Sequence, residues 1–331
     1  MRRVLLIYVF VLQGSVVIGQ YVPNNGQAFQ FAAITNPAFT GVENFGDLKM
    51  SYRHQWSGFG SYSPAYMNLS YNTRLKHPVD LKHNSMRISK PSLVEPGNLP
   101  RRKRIIHGLG MNVFHSEVGV IKSVGGALSY AFNYPLSKTF RFSLGVSSLV
   151  ESRTMRLDDL TFNEPDPFYN HLLTSASSQV DASLRGGVLL YSKGFYLGAS
   201  YLSVTNKVIQ ASEMALDEPF YRGSLQSGFA FSTNTAVAFK PSVLVCLLMD
   251  DSFLIDYSLK AYLQNKGWIG LTYRDSGTGI LMLGLDVSPS LSAAYSYEVG
   301  FGGFQPFGGS SHELVVGFRI NNLKKEGGWI W

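Results

Sequence analysis

Ser311-His312-Glu313 sets side by side the residue types of a nucleophile, a base and its orienting acid. The residues around this triplet alternate apolar with polar, as in a strand. Neighbours in a strand point to opposite faces, so His312 turns away from both flanking side chains and no catalysis is expected. His107 and His115 lie eight residues apart on one strand-like segment. That spacing separates them by about 26 Å, too far to share a metal ion. Asp158, Asp159, Glu164 and Asp166, with Asp217 and Glu218, offer hard oxygen ligands of the kind calcium takes. Their stretch LDDLTFNEPDPF lacks the turn glycine of an EF-hand, so solvated loop charge is the preferred reading. The glycine pairs at 125–126, 186–187 and 302–303 open no G-x-G-x-x-G nucleotide loop. Gly108-Leu109-Gly110 falls within a strand, where glycine permits bending or close packing in a wall. Cys246 is the only cysteine, so no disulfide framework exists; it reads as a small buried or lipid-facing side chain. The expectation is a chain without enzymatic activity, cofactor or metal.

The elements that carry these residues are almost all strand-like. In 48–56, Leu48, Met50, Tyr52, His54 and Trp56 oppose Lys49, Ser51, Arg53 and Gln55. Phe140, Phe142, Leu144 and Val146 oppose Arg141, Ser143, Gly145 and Ser147; Ile255, Tyr257, Leu259 and Ala261 oppose Asp256, Ser258, Lys260 and Tyr262; Leu314, Val316, Phe318 and Ile320 oppose Glu313, Val315, Gly317 and Arg319. Candidate strands cover 45–56, 62–75, 105–118, 120–136, 139–155, 179–192, 194–206, 222–234, 236–250, 252–264, 267–276, 277–290, 291–301 and 310–320. That is about fourteen, an even number as in bacterial outer-membrane barrels. A soluble β-sandwich alternates as well. Length separates the two, because many runs reach about ten residues, the span of a tilted transmembrane strand.

Composition agrees with a wall that faces lipid: 13% of residues are aromatic and only 15% charged, against about 25% in soluble domains. The fold class read from the sequence is an all-β transmembrane antiparallel barrel of the outer-membrane type. Closure pairs every backbone group, which lipid requires. Arg53, Arg141, Lys260 and Arg319 then face a wet lumen, and Trp56, Tyr62, Tyr66, Tyr134, Tyr191, Trp268 and Tyr273 fit interfacial girdles.

Residues 1–19, basic MRR followed by a short apolar run, read as a signal peptide cleaved before Gln20, so the chain is exported to the outer membrane. With no cysteine beside the cut, a lipid-modified terminus is not expected. Residues 20–44 form a Gln-rich, mobile-looking segment and turn, 45–320 the barrel and 321–331 a tail. Tight links at 192–194, 265–267 and 276–279 and longer ones at 76–104, 156–178, 207–221 and 302–309 suggest short turns on one side and long loops on the other. The net charge of +7 is densest around Arg101–Arg104. In an exported chain that run meets solvent or lipid headgroups; nucleic acid is not an expected partner.

NPAFTG at 36–41, YRHQW at 52–56, the GWIGLTYR segment at 267–274 and SSHEL at 310–314 together resemble the PorP/SprF family of type IX secretion membrane proteins of Bacteroidetes. The likeness extends over nearly all of the mature chain. It departs at the long basic segment 76–104 and the tail KKEGGWIW, and Ser116, Glu117 and Glu298 stand where Asp is frequent. The resemblance implies an outer-membrane barrel that supports secretion or surface attachment of a partner adhesin, in gliding bacteria, and links to periplasmic machinery. Its signature positions here are Asn36, Pro37, Gly41, Tyr52, Arg53, Trp56, Trp268, Tyr273, Arg274, Ser311, His312 and Glu313. Physically, Asn36-Pro37 sets an extended-then-turn geometry, and Gly41 relieves the chain before the first strand. Arg53 and Arg274 are expected inside, paired with Asp286, Glu298 or Glu313, while Tyr52 and Tyr273 meet lipid. The alternative function is a passive pore or a hydrophobic-ligand transporter, which a fourteen-stranded lumen is wide enough to house.

Overall fold

A computed structural model describes residues 25–75, 105–155, 178–210, 221–232, 237–248, 250–263, 266–301 and 309–322. The strands are β1 (Gly46–His54), β2 (Ala65–Arg74), β3 (Ile106–Val118), β4 (Ile121–Pro135), β5 (Arg141–Met155), β6 (Ser178–Ser192), β7 (Phe195–Gln210), β8 (Tyr221–Phe229), β9 (Phe231–Ser232), β10 (Val237–Leu248), β11 (Phe253–Leu263), β12 (Gly267–Arg274), β13 (Thr278–Ser288), β14 (Leu291–Gly300) and β15 (Ser311–Ile320). The two-residue β9 prolongs β8 past Ala230 and pairs with β10 through Phe231–Phe239 and Ser232–Ala238. The wall therefore has fourteen staves. Each is antiparallel to its neighbours in chain order, and β15 closes on β1 from Gly46–Ile320 to His54–His312. The expected strands are found with ends shifted by a few residues. The expected 194–206 runs on to Gln210 and 222–234 breaks after Phe229, while 45–56 ends early and 62–75 begins late because Ser57–Tyr62 winds into 3-10 turns.

Alternation becomes sidedness. Outward positions are apolar and exposed: Leu259, Leu271 and Leu281 form a cross-strand row on β11, β12 and β13. Lipid accepts these side chains and rejects charge. Leu271→Arg places a cation in this row and is expected to lower stability by roughly 2–4 kcal/mol. Urea unfolding in vesicles reads the effect; an unchanged midpoint would mean the position does not face lipid.

Inward positions are polar or charged, with Asp47, Lys49, Ser51, Arg53 and Gln55 all buried along and just beyond β1. Three aromatics expected in the girdles prove to be inward. Tyr191 is buried with its hydroxyl donating to Asn133 at 2.8 Å, Trp268 packs edge-on to Phe29 at 5.2 Å, and Tyr66 shares the inward phase of Arg53. Tyr62 and Tyr273 are exposed as expected, and Tyr134 stacks with Phe132. The cause of the misassignment is the lumen's content, since an apolar filler inside the barrel offers aromatics a second dry partner. Brominated lipid should accordingly leave the Trp268 fluorescence of a single-tryptophan variant unquenched; strong quenching would put that ring in the bilayer.

The loops are not segregated as the sequence suggested. Antiparallel parity sends 76–104 out at the end that also carries Gly46 and Ile320, together with the tight turns after β4, β6, β11 and β13. The connections after β1, β5, β7 and β14 leave at the opposite end, where the short turn at 275–277 also lies. Most long connections thus share the end opposite Gly46 and Ile320. The expected signal segment, Arg101–Arg104, the loop carboxylates Asp158, Asp159, Glu164, Asp166, Asp217 and Glu218, and the tail beyond Asn322 lie outside the described residues.

Candidate functional site

The lumen is filled by the chain's own start. Residues 25–45, expected to be mobile, run through it as a plug of short turns: a 3-10 turn at Ala28–Phe31, one α-helical turn at Ala32–Thr35 and a second 3-10 turn at Pro37–Phe39. The last begins as Asn36-Pro37 dictates. Asn36 is extended at φ −139° and ψ 108°, and its side-chain oxygen accepts from the Ala38 N–H at 3.0 Å. The Asn36 amide nitrogen then donates to the carbonyls of Val188 and Ala199 at 3.2 and 3.3 Å, tying the turn to β6 and β7.

Backbone can approach the wall this closely only over glycine. Gly145 on β5 lies so near Ala38 that a Cβ would overlap the Ala38 backbone nitrogen, and a Cβ on Gly187 of β6 would overlap the Asn36 side chain. Gly41 has φ +72°, and a Cβ there would sit 2.6 Å from the Cα of Gly108 on β3. Close packing, expected for Gly108, is thus packing against the plug. Phe39, Ala38, Val42 and Ala32 bury their apolar surface against Leu189 and Tyr191. Plug carbonyls are taken up by inward donors: Ser200 to Thr35 at 2.7 Å, Lys49 to Gln30 at 3.1 Å, Arg74 to Gly41 at 2.8 Å, and Arg185 to Ile34. In a lumen screened from water these bonds answer groups that would otherwise be buried unmet.

A second cluster lies where the last staves meet the first. Arg53 contacts Glu298 at 2.8 Å and Glu313 at 3.8 Å. Arg274 grips both oxygens of Asp256 at 2.7 and 2.9 Å and reaches Glu298 at 4.0 Å. Glu313 also accepts the Gln27 N–H at 3.1 Å, so the plug's start is held by the same carboxylate. The expected pairing of Arg53 and Arg274 with Glu298 is present. Asp286, the third expected partner, serves Arg319 and the Tyr262 hydroxyl instead, at 2.5 and 2.6 Å. Asp256, the main partner of Arg274, was not foreseen; its inward phase on β11 opposite Arg274 is the signal that reveals it.

Most of the positions named from the resemblance lie at two inward places. Asn36, Pro37 and Gly41 make the seated turn. Arg53, Trp268, Arg274, Ser311 and Glu313 point inward around the seam, where Ser311 accepts the Trp56 N–H at 3.3 Å. Tyr52 and Tyr273 face outward, as does His312, whose Nδ1 lies 2.6 Å from the Tyr295 hydroxyl. Ser311, His312 and Glu313 do not converge. His107 and His115 stand on the outer face, beside Tyr130 and Glu117 respectively. Cys246 is buried and inward.

A family model described as type IX secretion system membrane protein PorP/SprF matches residues 17–318. The chain belongs to the PorP/SprF family. No curated protein matches it. Among solved structures it is similar to the Ralstonia pickettii toluene transporter TbuX, with TM-score 0.50 and 9% identity over 87% of this chain and 92% of that one. The Pseudomonas putida toluene transporter TodX gives TM-score 0.49 and 12% identity over 91% and 95% of the two chains. The likeness to TbuX is one of fold. This PorP/SprF chain is thus an outer-membrane barrel component of the type IX secretion system.

Proposed function

We propose that this PorP/SprF barrel is a closed scaffold, without enzymatic activity, that supports export or surface attachment of one partner adhesin and links it to periplasmic type IX components. The carrying observation is the plug: a lumen occupied by Asn36–Gly41, packed on Gly108 of β3 and Gly145 of β5 and hydrogen-bonded to β6 and β7, suits a holder better than a conduit. The end with the termini and most tight turns is read as periplasmic, and the opposite end as the side on which an exported partner is met. Export itself is assigned to cleavage of residues 1–19 before Gln20.

Deletion of the gene should remove one large surface protein and leave outer-membrane permeability unchanged; an unaltered surface proteome would overturn the reading. Planar bilayers provide the contrast with a pore. The intact barrel should remain silent, whereas a steady selective conductance would favour transport.

A further inference from the structure

The plug does not fill the bore evenly. Between it and the inner faces of β2–β8 lies a cavity of about 270 Å³. Its walls include Val118 and Ile121 beside the β3–β4 turn, Arg153 near the end of β5 and Tyr221 at the start of β8, so it reaches the end opposite the termini. From Ser147 to Arg153 along β5 it follows about 20 Å of strand. The space is a slot, long and narrow.

Its lining selects a chemistry. Phe31 and Ile34 of the plug face Phe114, Leu149 and Leu202 of the wall, giving an apolar stretch for an aromatic or alkyl body. Ser147 accepts from Ser129 at 3.0 Å, which leaves the Ser147 hydroxyl proton for an occupant. Asn112, whose amide nitrogen already donates to Asn68 and to the Leu69 carbonyl, adds a side-chain oxygen on the β3 side of the slot. The charged residues of the slot are already engaged. Arg153 contacts Glu151 at 3.3 Å and Asp181 at 3.6 Å, and Arg185 holds the Ile34 carbonyl beneath the Tyr221 ring. An ionic ligand would compete with these pairs and meet no free counter-charge of its own. We infer that the slot binds one small, uncharged, elongated amphiphile, aromatic or alkyl in body with a hydroxyl or amide group. Such a site is concave, mostly apolar and oriented by a few polar groups, as small-molecule sites generally are.

The test uses the mature chain in lipid nanodiscs and 4-(trifluoromethyl)benzyl alcohol, followed by fluorine NMR. Wild type should broaden the probe signal saturably, beyond the linear partitioning shown by empty nanodiscs. Ala127→Phe, which projects into the slot, should weaken binding at least tenfold, and the outward control Leu128→Ala should leave it unchanged. Should Ala127→Phe fail to fold, Ser123→Phe narrows the slot nearer the β3–β4 turn and carries the same expectation. Linear uptake equal to empty nanodiscs, or saturable binding indifferent to whichever of these two variants folds, would overturn the assignment.

Discussion

Gly145→Ala should unseat the plug. The added methyl meets the backbone nitrogen of Ala38, not the end of a flexible side chain, so neither partner can turn aside. Overpacking of this kind costs about 1–3 kcal/mol, and a backbone collision stands at the upper end of that range. The internal control is Gly186→Ala on the neighbouring stave. Gly186 faces outward and a Cβ there meets nothing within 4 Å, so its unfolding midpoint should be nearly unchanged. Where Gly145→Ala leaves the wall intact but moves the turn, planar bilayers should register openings that wild type lacks. Equal midpoints and equal silence for the two variants would mean that Asn36–Gly41 is not held in this seat.

Arg53→Met should be the most damaging change at the seam. It leaves Glu298 and Glu313 buried with their nearest cation gone, and removing one partner of a buried pair destabilises by about 3–5 kcal/mol. Arg274 remains 4.0 Å from Glu298 and offsets only part of this. Adding Glu298→Gln to Arg53→Met removes the stranded charge and should recover a large part of the loss. Urea unfolding in vesicles, followed by circular dichroism, measures all three proteins. Strict additivity of the two substitutions would show that the residues do not interact.

Much of the wall was legible in the sequence because a strand's period is two and lipid tolerates only one kind of outer face. Met50 and Tyr52 against Ser51 and Arg53 carry that message without any neighbour being known. The filling of the lumen was not legible. Ala28–Phe39 is built from turns of three or four residues, too short for a periodic pattern to emerge. Trp268, Tyr191 and Tyr66 were placed in the girdles for the same reason, since an aromatic in a barrel strand suits an interfacial belt unless an apolar body waits inside. Gly108 on β3 and Gly145, Gly187 and Gly198 on the consecutive β5, β6 and β7 share inward phase, and that alignment was the available sign of a guest backbone. At the seam, phase alone placed Arg53 and Arg274 inside, but partner choice depends on cross-strand register. This is how Asp256, outside the expected set of Asp286, Glu298 and Glu313, became the main mate of Arg274.

Chain order gives the plug one more consequence. Asn25–Phe45 is made before any stave, and its contacts extend from Gly108 on β3 to Glu313 on β15. The segment can therefore act as a mandrel: successive hairpins wrap onto a surface that already displays their docking points. The pairing of β15 with β1 holds Glu313, beside Glu298 of β14, against Arg53 and so latches the ring. A chain deprived of its mandrel would have to close over bare inward glycines with nothing to grip.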